Sequence, residues 1–357
     1  MIILRFVHIA DLHLDAPFSV LNANNRLGEK RREEQLKIFE NVIDYINDNK
    51  IDFLFISGDL YENEYVKEKT IEYINNLFKK IENTEIFIAP GNHDPYLKNS
   101  YYRTYNWNSN VHIFNNEIKK YSYENVDIYG YGFDDFYIQN SGVEDIKIEN
   151  KDKNNILIVH GSLDTSPTQE KVYNPMSYKK LNDIGFDYIA LGHIHTTNYT
   201  KEETIVYPGS LAALGFDEIG EHGMVVGEII NGNLNTEFIK MDNVEFVEEK
   251  IDVTELKSNK QIIDKINELN IEGNRFYKII LTGFRKFNIE ISKINKEIII
   301  ENIIKIKDET ELNYDLEKLA KENNIKGYFV RELLERQKIS ENKEEIQKAI
   351  EIGLEVL

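Results

Sequence analysis

Five short motifs in this sequence place histidines and carboxylates at the spacing expected of metal ligands. In chain order they are Asp11-Leu12-His13, Gly58-Asp59, Gly91-Asn92-His93-Asp94, His160-Gly161 and Gly192-His193-Ile194-His195. The chain contains no cysteine, which excludes disulfides, thiolate metal sites and cysteine nucleophiles. Any metal must therefore be held by imidazole, carboxylate or amide groups, a mixture that suits Mn²⁺, Fe²⁺ or Zn²⁺.

Each motif alone is weak, and the set carries the signal. A lone histidine in an apolar run is more often structural, and a Gly-Asp pair at a strand end is usually only a turn. Here five such motifs follow predicted strands, and four of them include a glycine. Asp11 and His13, two residues apart at a strand end, should share a side and can bind one ion. Histidines 193 and 195 share a side in the same way and could be divided between two adjacent ions.

The first two thirds of the chain predict a layered α/β domain. The predicted strands cover residues 2–10, 51–57, 85–89, 126–131, 156–160 and 187–191, and the predicted helices cover 29–49 and 64–83. This alternation favours sheets buried under helices. Alternating runs at 204–207, 223–229 and 234–240 predict an antiparallel finish before a domain boundary near Asn243.

The last third predicts a smaller α+β unit and a helical tail. Ser258 and Gln261 have the spacing of a capping box that opens a helix, and residues 276–281 read as a strand. Residues 326–357 should form two helices, which either pack on their own domain or dock a partner. We therefore predict three segments, 1–243, 244–325 and 326–357.

The charge of the chain limits its partners. With 43 Lys and Arg against 62 Asp and Glu, the net charge is −19, so the chain lacks the basic footprint of a freestanding nucleic-acid binder. A polyanionic substrate would need a local positive site, which divalent metal ions can supply. The opening apolar run is interrupted by Arg5 and His8, and no apolar run reaches the roughly 18 residues of a membrane helix, so we expect a soluble, cytoplasmic protein.

The five motifs in this order resemble those of the calcineurin-like binuclear metallophosphoesterases, over about residues 2–239. The resemblance implies a four-layer sandwich of two sheets between helices, with two metal ions at one edge. It implies that His93 acts as a general acid or transition-state stabiliser and that Asp94 orients it. It further implies a first metal ion bound by Asp11, His13 and His195, a second bound by Asn92, His160 and His193, and Asp59 as the bridge between them.

This assignment agrees with the chemistry of phosphoester hydrolysis. Two ions about 3.5 to 4 Å apart activate a water and neutralise phosphate oxygens. The leaving alkoxide needs a proton donor, and His93 beside a carboxylate can stay protonated for that task.

Longer phrases separate the branches of this superfamily. No arginine follows Gly58-Asp59 as it does in Ser/Thr protein phosphatases, and the first motif has His13 where purple acid phosphatases have glycine. The phrases at 8–18, 91–96 and 207–218 are similar to those of DNA repair exonucleases of the SbcD and YhaO type. This resemblance implies a Mn²⁺-dependent DNA nuclease with a capping domain, a tail that docks a coiled-coil ATPase of the SbcC or YhaN type, and a homodimer.

Some features leave alternatives open. Several members of that group have histidine three residues after the Gly-Asp aspartate, where this chain has Glu62. The same metal site would serve a phosphodiesterase acting on cyclic or other small nucleotides, and a scaffold without activity is a third hypothesis, although no motif is missing. The aromatic stretch 98–107 could stack on bases, but we favour packing against the cap.

Overall fold

The computed structural model describes residues 3–18, 21, 27–165, 172–271, 273–312, 314, 316–340 and 342–357. Ile2, the first residue of the first predicted strand, lies outside them. The chain divides into two units, 1–246 and 247–357. The finer division into three segments stays a prediction.

The described part of the first unit contains strands in two sheets and a small number of helices. The helices are α1 (Leu27–Asn49), α2 (Glu68–Lys80), α3 (Tyr101–Thr104) and α4 (Tyr178–Ile184). The strands are β1 (Ile3–Ile9), β2 (Phe53–Ile56), β3 (Glu85–Ile88), β4 (Val111–Ile113), β5 (Lys119–Ser122), β6 (Val126–Tyr131), β7 (Asn154–His160), β8 (Tyr188–Gly192), β9 (Ile205–Val206), β10 (Gly223–Ile230) and β11 (Asn233–Lys240).

The two sheets are mainly parallel at their centres. The first has the order β11-β10-β1-β2-β3-β4, and the second has the order β5-β6-β7-β8-β9. Strands β1 to β4 are parallel to one another, and so are β6 to β9. The carboxyl ends of β1, β2 and β3 therefore meet at one edge of the first sheet, and those of β7 and β8 meet at one edge of the second.

One predicted pairing is wrong. The run 204–207 was expected to join an antiparallel finish, but β9 pairs with β8 in parallel, with Ile189 opposite Ile205. The alternation of apolar and polar residues over four positions indicates which side chains are buried, but it carries no information on strand direction. For β10 and β11 the antiparallel prediction is confirmed.

The sheets face each other across a shared apolar core, which includes Phe6, Phe55, Phe87, Ile128 and Ile158. Helices α1 and α2 cover the other face of the first sheet, while α4 and connecting segments cover that of the second. All four side chains of β2 are buried, as expected for a strand covered on both faces. The predicted four-layer α/β sandwich is confirmed.

The second unit is α+β, as predicted. Its strands are β12 (Glu245–Asp252), whose first two residues precede the boundary, β13 (Arg275–Thr282), β14 (Phe284–Arg285), β15 (Ile303–Asp308) and β16 (Glu311–Leu312). Its helices are α5 (Asn259–Asn267), α6 (Ile291–Glu297), α7 (Leu316–Leu319), α8 (Ile325–Ile339) and α9 (Lys343–Val356). Ser258 caps α5 by accepting a hydrogen bond from the Gln261 N–H. The Gln261 side chain accepts from Lys257 N and so does not close the box on Ser258.

The C-terminal helices α8 and α9 pack on each other around Val330, Ile350 and Leu354. The two helices predicted for the tail are therefore confirmed. Among the described residues, none of the helices combines the length and the apolar character needed to cross a membrane.

The aromatic stretch 98–107 packs on the core of the first unit itself. Tyr102 is buried, and the Trp107 ring lies against Phe78 and Tyr102. A buried Tyr102 has no face available to a base, so the base-stacking alternative fails for this residue. The ring instead supports the loop that carries Asp94, to which its hydroxyl donates a hydrogen bond of 2.6 Å.

Candidate metal centre

The predicted site residues lie at or just after the carboxyl ends of β1, β2, β3, β7 and β8. The two sheets bring these ends together, so that motifs separated by up to about half the chain become neighbours. Close polar contacts connect all nine residues in one cluster, namely Asp11, His13, Asp59, Asn92, His93, Asp94, His160, His193 and His195.

One group of donor atoms consists of Asp11, His13 and His195, which offer ligand atoms within 4.8 Å of one another. The Nε2 atoms of the two histidines are 3.1 Å apart. Their Nδ1 atoms lie 2.7 Å from Glu62 and 2.5 Å from Glu218, so each donates its ring proton to a carboxylate. In neutral imidazoles this leaves two Nε2 lone pairs facing each other, an arrangement that a metal cation between them would satisfy. Burial opposes a charged His195, but the hydrogen bond to Glu218 and the charge of Asp11 raise its pKa to about 9, so that a proton takes this place when no metal ion is bound.

A second group of donor atoms surrounds Asn92. The Nε2 atom of His160 lies 3.0 Å from Asn92 Oδ1 and 3.3 Å from Asp59 Oδ2, and the Nδ1 atom of His193 lies 3.2 Å from Asn92 Oδ1. The Nδ1–H of His160 donates to the Ser57 carbonyl at 2.8 Å, which leaves Nε2 as the lone-pair atom. Acceptor atoms again face one another, and a second cation would satisfy them.

The buried charges of the cluster also attract cations. Burial opposes the charge on Asp59, but the imidazoles of His160 and His13 hold the pKa of its carboxyl well below the usual range. Burial also opposes a charged His160, but without a metal ion Asp59 and Asp11 raise its pKa to about 9, so an ion that binds Nε2 must displace a proton from it. Burial lowers the pKa of His193 to about 3, so that ring is neutral and free to act as a ligand. The described residues therefore fit the pair of divalent ions that the resemblance implies.

The backbone of the cluster is strained. Asp11, His13, Asp59 and His193 have φ angles of 52°, 47°, 52° and 110°, in the left-handed region that side-chain-bearing residues rarely adopt. The side chains of Asp11 and His13 lie close together, as expected. The backbone at these residues is not extended, however, so this proximity does not arise from the alternation of side chains along a strand, on which the prediction was based. At Gly91 a side chain would clash with the carboxylate of Asp59, which explains the need for glycine.

Asp94 has a different role from the one predicted. Its Oδ1 accepts hydrogen bonds from the N–H groups of Gly91 and Asp59, and its Oδ2 accepts from Leu60 N–H and the Tyr102 hydroxyl. Because these four donors occupy the lone-pair positions of the carboxylate, Asp94 ties two loops together and does not orient His93 directly.

The carboxylate that hydrogen-bonds the His93 ring is that of Glu62, which the sequence analysis did not identify as part of the site. Its two oxygens lie 2.7 Å from His13 Nδ1 and 3.0 Å from His93 Nδ1. The His93 side chain is 45% exposed and that of His13 only 2%, so Glu62 joins a buried candidate ligand to a solvent-facing histidine. Its position three residues after Asp59 was visible in the sequence, but nothing there indicated these contacts.

Glu218 is a second residue that the sequence analysis did not place at the site. Its Oε1 faces His195, while its Oε2 accepts from the Ser210 hydroxyl and from Leu214 N–H, both at 2.9 Å. The only sequence signal was its place in a phrase shared with the resembled nucleases.

Comparison with known proteins identifies the family. The sequence profile of the calcineurin-like phosphoesterases matches residues 4–197, more than half of the chain. The chain therefore belongs to the calcineurin-like phosphoesterase family, whose members bind divalent metal ions, and the protein is a phosphoester hydrolase.

Two relatives extend this result. The chain is similar to the uncharacterized metallophosphoesterase YhaO of Bacillus subtilis (strain 168), with 26% identity over 276 residues, 74% of this chain and 67% of the relative. It is also similar to the SbcD subunit of the nuclease SbcCD of Staphylococcus epidermidis (strain ATCC 12228 / FDA PCI 1200), with 24% identity over 366 residues, 85% of this chain and 93% of the relative. The predicted resemblance to the SbcD and YhaO type is confirmed.

The contact between Glu218 and His195 predicts a metal-affinity effect. Replacing Glu218 by Gln removes the charge that fixes the imidazole, so we expect Mn²⁺ affinity to fall by about 10- to 100-fold, the usual effect of losing such a partner. Calorimetric titration of metal-stripped protein measures it. Glu221→Gln, on an exposed side chain of the same segment, is the matched control. Equal affinities of the Glu218→Gln variant and the wild type would contradict this role.

Proposed function

We propose that this protein is a Mn²⁺-dependent DNA nuclease that degrades linear DNA from its ends in DNA repair. The observation that carries the proposal is the extent of the match to a relative named as part of a nuclease. That match includes 85% of the chain and so continues beyond residues 4–197, into the second unit.

In this proposal the ligands divide as the resemblance implies. Asp11, His13 and His195 would hold one ion, Asn92, His160 and His193 would hold the other, and the carboxylate of Asp59 would serve both. When bound, the two ions supply an activated water and neutralise charge on the phosphate. The mixed imidazole, carboxylate and amide donors suit Mn²⁺, Fe²⁺ or Zn²⁺, and we propose Mn²⁺ among these because of the resemblance to the SbcD and YhaO type.

Side chains of the protein itself would supply the proton for the leaving group and orient the ligand histidines. Glu62 accepts a hydrogen bond from the Nδ1–H of His93, which leaves Nε2 of this exposed ring as the atom that would meet the substrate. There a protonated His93 would donate to the leaving oxygen of the cleaved strand. Glu62 and Glu218 hold His13 and His195 in the tautomer that presents Nε2 to the ions.

The proposal includes a partner. The relative is named as one component of a complex, and helices α8 and α9 of this chain expose several large apolar residues, including Ile325, Tyr328, Ile339 and Val356. We propose that this tail docks a coiled-coil ATPase of the SbcC or YhaN type, that the protein works in the cytoplasm, and that it forms a homodimer.

The test is digestion of end-labelled linear DNA, single-stranded and duplex, by metal-stripped protein with and without Mn²⁺. We expect Mn²⁺-dependent shortening from the ends, and no cleavage of a closed circle of the same sequence. Hydrolysis of cyclic nucleotides with intact DNA would contradict the proposal and support the small-nucleotide alternative.

A further inference from the structure

A cavity of about 350 Å³ lies beside the candidate metal centre, within the first unit. Asn92 and His93 form one side of it. Much of the remainder is aromatic, and we call Tyr65, Phe136, Tyr137 and Tyr173 the aromatic wall. Three of these rings are unusually open to solvent, with exposed fractions of 49% for Tyr65, 38% for Phe136 and 43% for Tyr137.

The wall begins at a candidate ligand and continues outward. The Tyr173 ring lies 4.8 Å from the His193 ring, centroid to centroid, at an interplanar angle of 37°. The Tyr137 ring lies 5.5 Å from that of Tyr173. Backbone hydrogen bonds from Asn174 N–H to the Ile138 carbonyl, and from Ile138 N–H to the Val172 carbonyl, hold the two tyrosine segments together. The rings are thus positioned before any ligand binds.

The charge of the cavity restricts what the wall can bind. Among the described residues that line it, none is Lys or Arg, Glu62 and Glu64 are acidic, and the imidazole of His93 is already paired with Glu62 at 3.0 Å. The lining therefore offers no cationic track for a run of phosphates, whereas a neutral planar group can be accommodated. Aromatic side chains stack on any nucleobase through its π face, without needing positive charge.

We propose that the aromatic wall binds the nucleobase of the nucleotide whose phosphate lies at the metal centre. This inference rests on the proposed function and names the substrate feature that the same site would select. The base could belong to the end of a DNA strand or to a small nucleotide. In DNA it must be unpaired, because a base inside a duplex already has both faces stacked, so frayed or single-stranded ends would be preferred.

The role of the aromatic wall is tested with two variants, Tyr65→Leu and Tyr137→Leu, each of which removes one aromatic ring but keeps an apolar side chain. The substrates are a single-stranded oligonucleotide with a normal terminal nucleotide and the same oligonucleotide with an abasic end. Stacking of one base is lost in each variant, so we expect KM for release of the normal terminal nucleotide to rise about 10-fold, with kcat little changed. The abasic substrate should bind weakly to every protein and show no further loss.

Two controls separate binding from fold damage and from loss of activity. Tyr178→Leu removes an exposed tyrosine that does not line the cavity and should leave KM unchanged. Binding is also measured with His93→Ser protein loaded with Mn²⁺, using an oligonucleotide that carries 2-aminopurine at its end, whose fluorescence is quenched on stacking. Tyr137→Leu in that background should reduce the quenching.

The outcomes distinguish this inference from the proposed function. DNA cleavage that is equal for normal and abasic ends, or unaffected by both ring substitutions, would overturn the inference and leave the nuclease intact. Tyr137-dependent binding of a cyclic nucleotide, without binding or cleavage of DNA, would support the inference and contradict the nuclease. A protein that binds neither the oligonucleotide nor the cyclic nucleotide would also overturn the inference.

Discussion

Replacing Asp59 by Asn should abolish phosphodiester hydrolysis. The Asp59 carboxylate lies between the two groups of donor atoms, 3.3 Å from His160 Nε2 and 3.7 Å from His13 Nε2. Asn keeps the size of the side chain but removes the charge, so ions should be lost from the centre. Since metal ions contribute several kcal/mol to transition-state stabilisation, and each 1.36 kcal/mol is tenfold, we expect kcat to fall by about 10³-fold or more.

The measurement is the initial rate of DNA hydrolysis at saturating Mn²⁺, together with the metal content of the same samples. Asp44→Asn, on the exposed face of α1, is the control for a change of charge alone. Circular dichroism and a thermal melt establish that the Asp59→Asn variant is folded. A folded variant with normal metal content and activity would contradict the assignment of Asp59.

Replacing His93 by Ser should remove most activity while leaving two metal ions bound. His93 is exposed and contacts Glu62, and the resemblance makes it the proton donor and not a ligand. Loss of a general acid typically costs 10²- to 10⁴-fold, so we expect kcat to fall by about 10²-fold or more. A p-nitrophenyl phosphodiester, whose leaving group needs no proton, should show a much smaller defect. Loss of bound metal in this variant would instead identify His93 as a ligand.

Glu62→Gln provides a companion test through the dependence of rate on pH. Burial alone would lower the pKa of His93, but the hydrogen bond to Glu62 and the charge of Asp59 raise it to about 9. The protonated acid is present below that pKa and is lost as the pH rises through it. Without the Glu62 charge the pKa falls, so the alkaline limb of kcat should move to lower pH. An unchanged limb would show that Glu62 does not support the acid.

The positions of the site residues could be predicted well because local signals define strand ends. The apolar runs before Asp11, Asp59, Asn92 and His193 all form strands, and His160 is the last residue of β7. The meeting of two sheets at one edge could not be predicted in this way, because composition and periodicity carry no information on pairing between distant strands. That part of the prediction came from the order of the motifs and their resemblance to a known family.

The contacts around the candidate ligands could not be predicted. Glu62 stood out only as a departure from related sequences, and its bridge between two histidines depends on the turn that follows Asp59. Glu218 is 23 residues from His195, in the irregular segment that follows β9. Asp94 was placed in the correct loop, but the N–H groups that occupy its carboxylate come from backbone geometry, which side-chain identities do not reveal.

The most direct test of the account is the number of Mn²⁺ ions that the metal-stripped protein binds. Calorimetric titration with Mn²⁺, checked by metal analysis after removal of free ion, gives this number for the wild type and for Asp59→Asn. We predict two ions per chain in the wild type and at most one in the variant. A wild-type protein that binds no Mn²⁺, or a variant that binds two ions as tightly as the wild type, would contradict a two-metal centre built around Asp59.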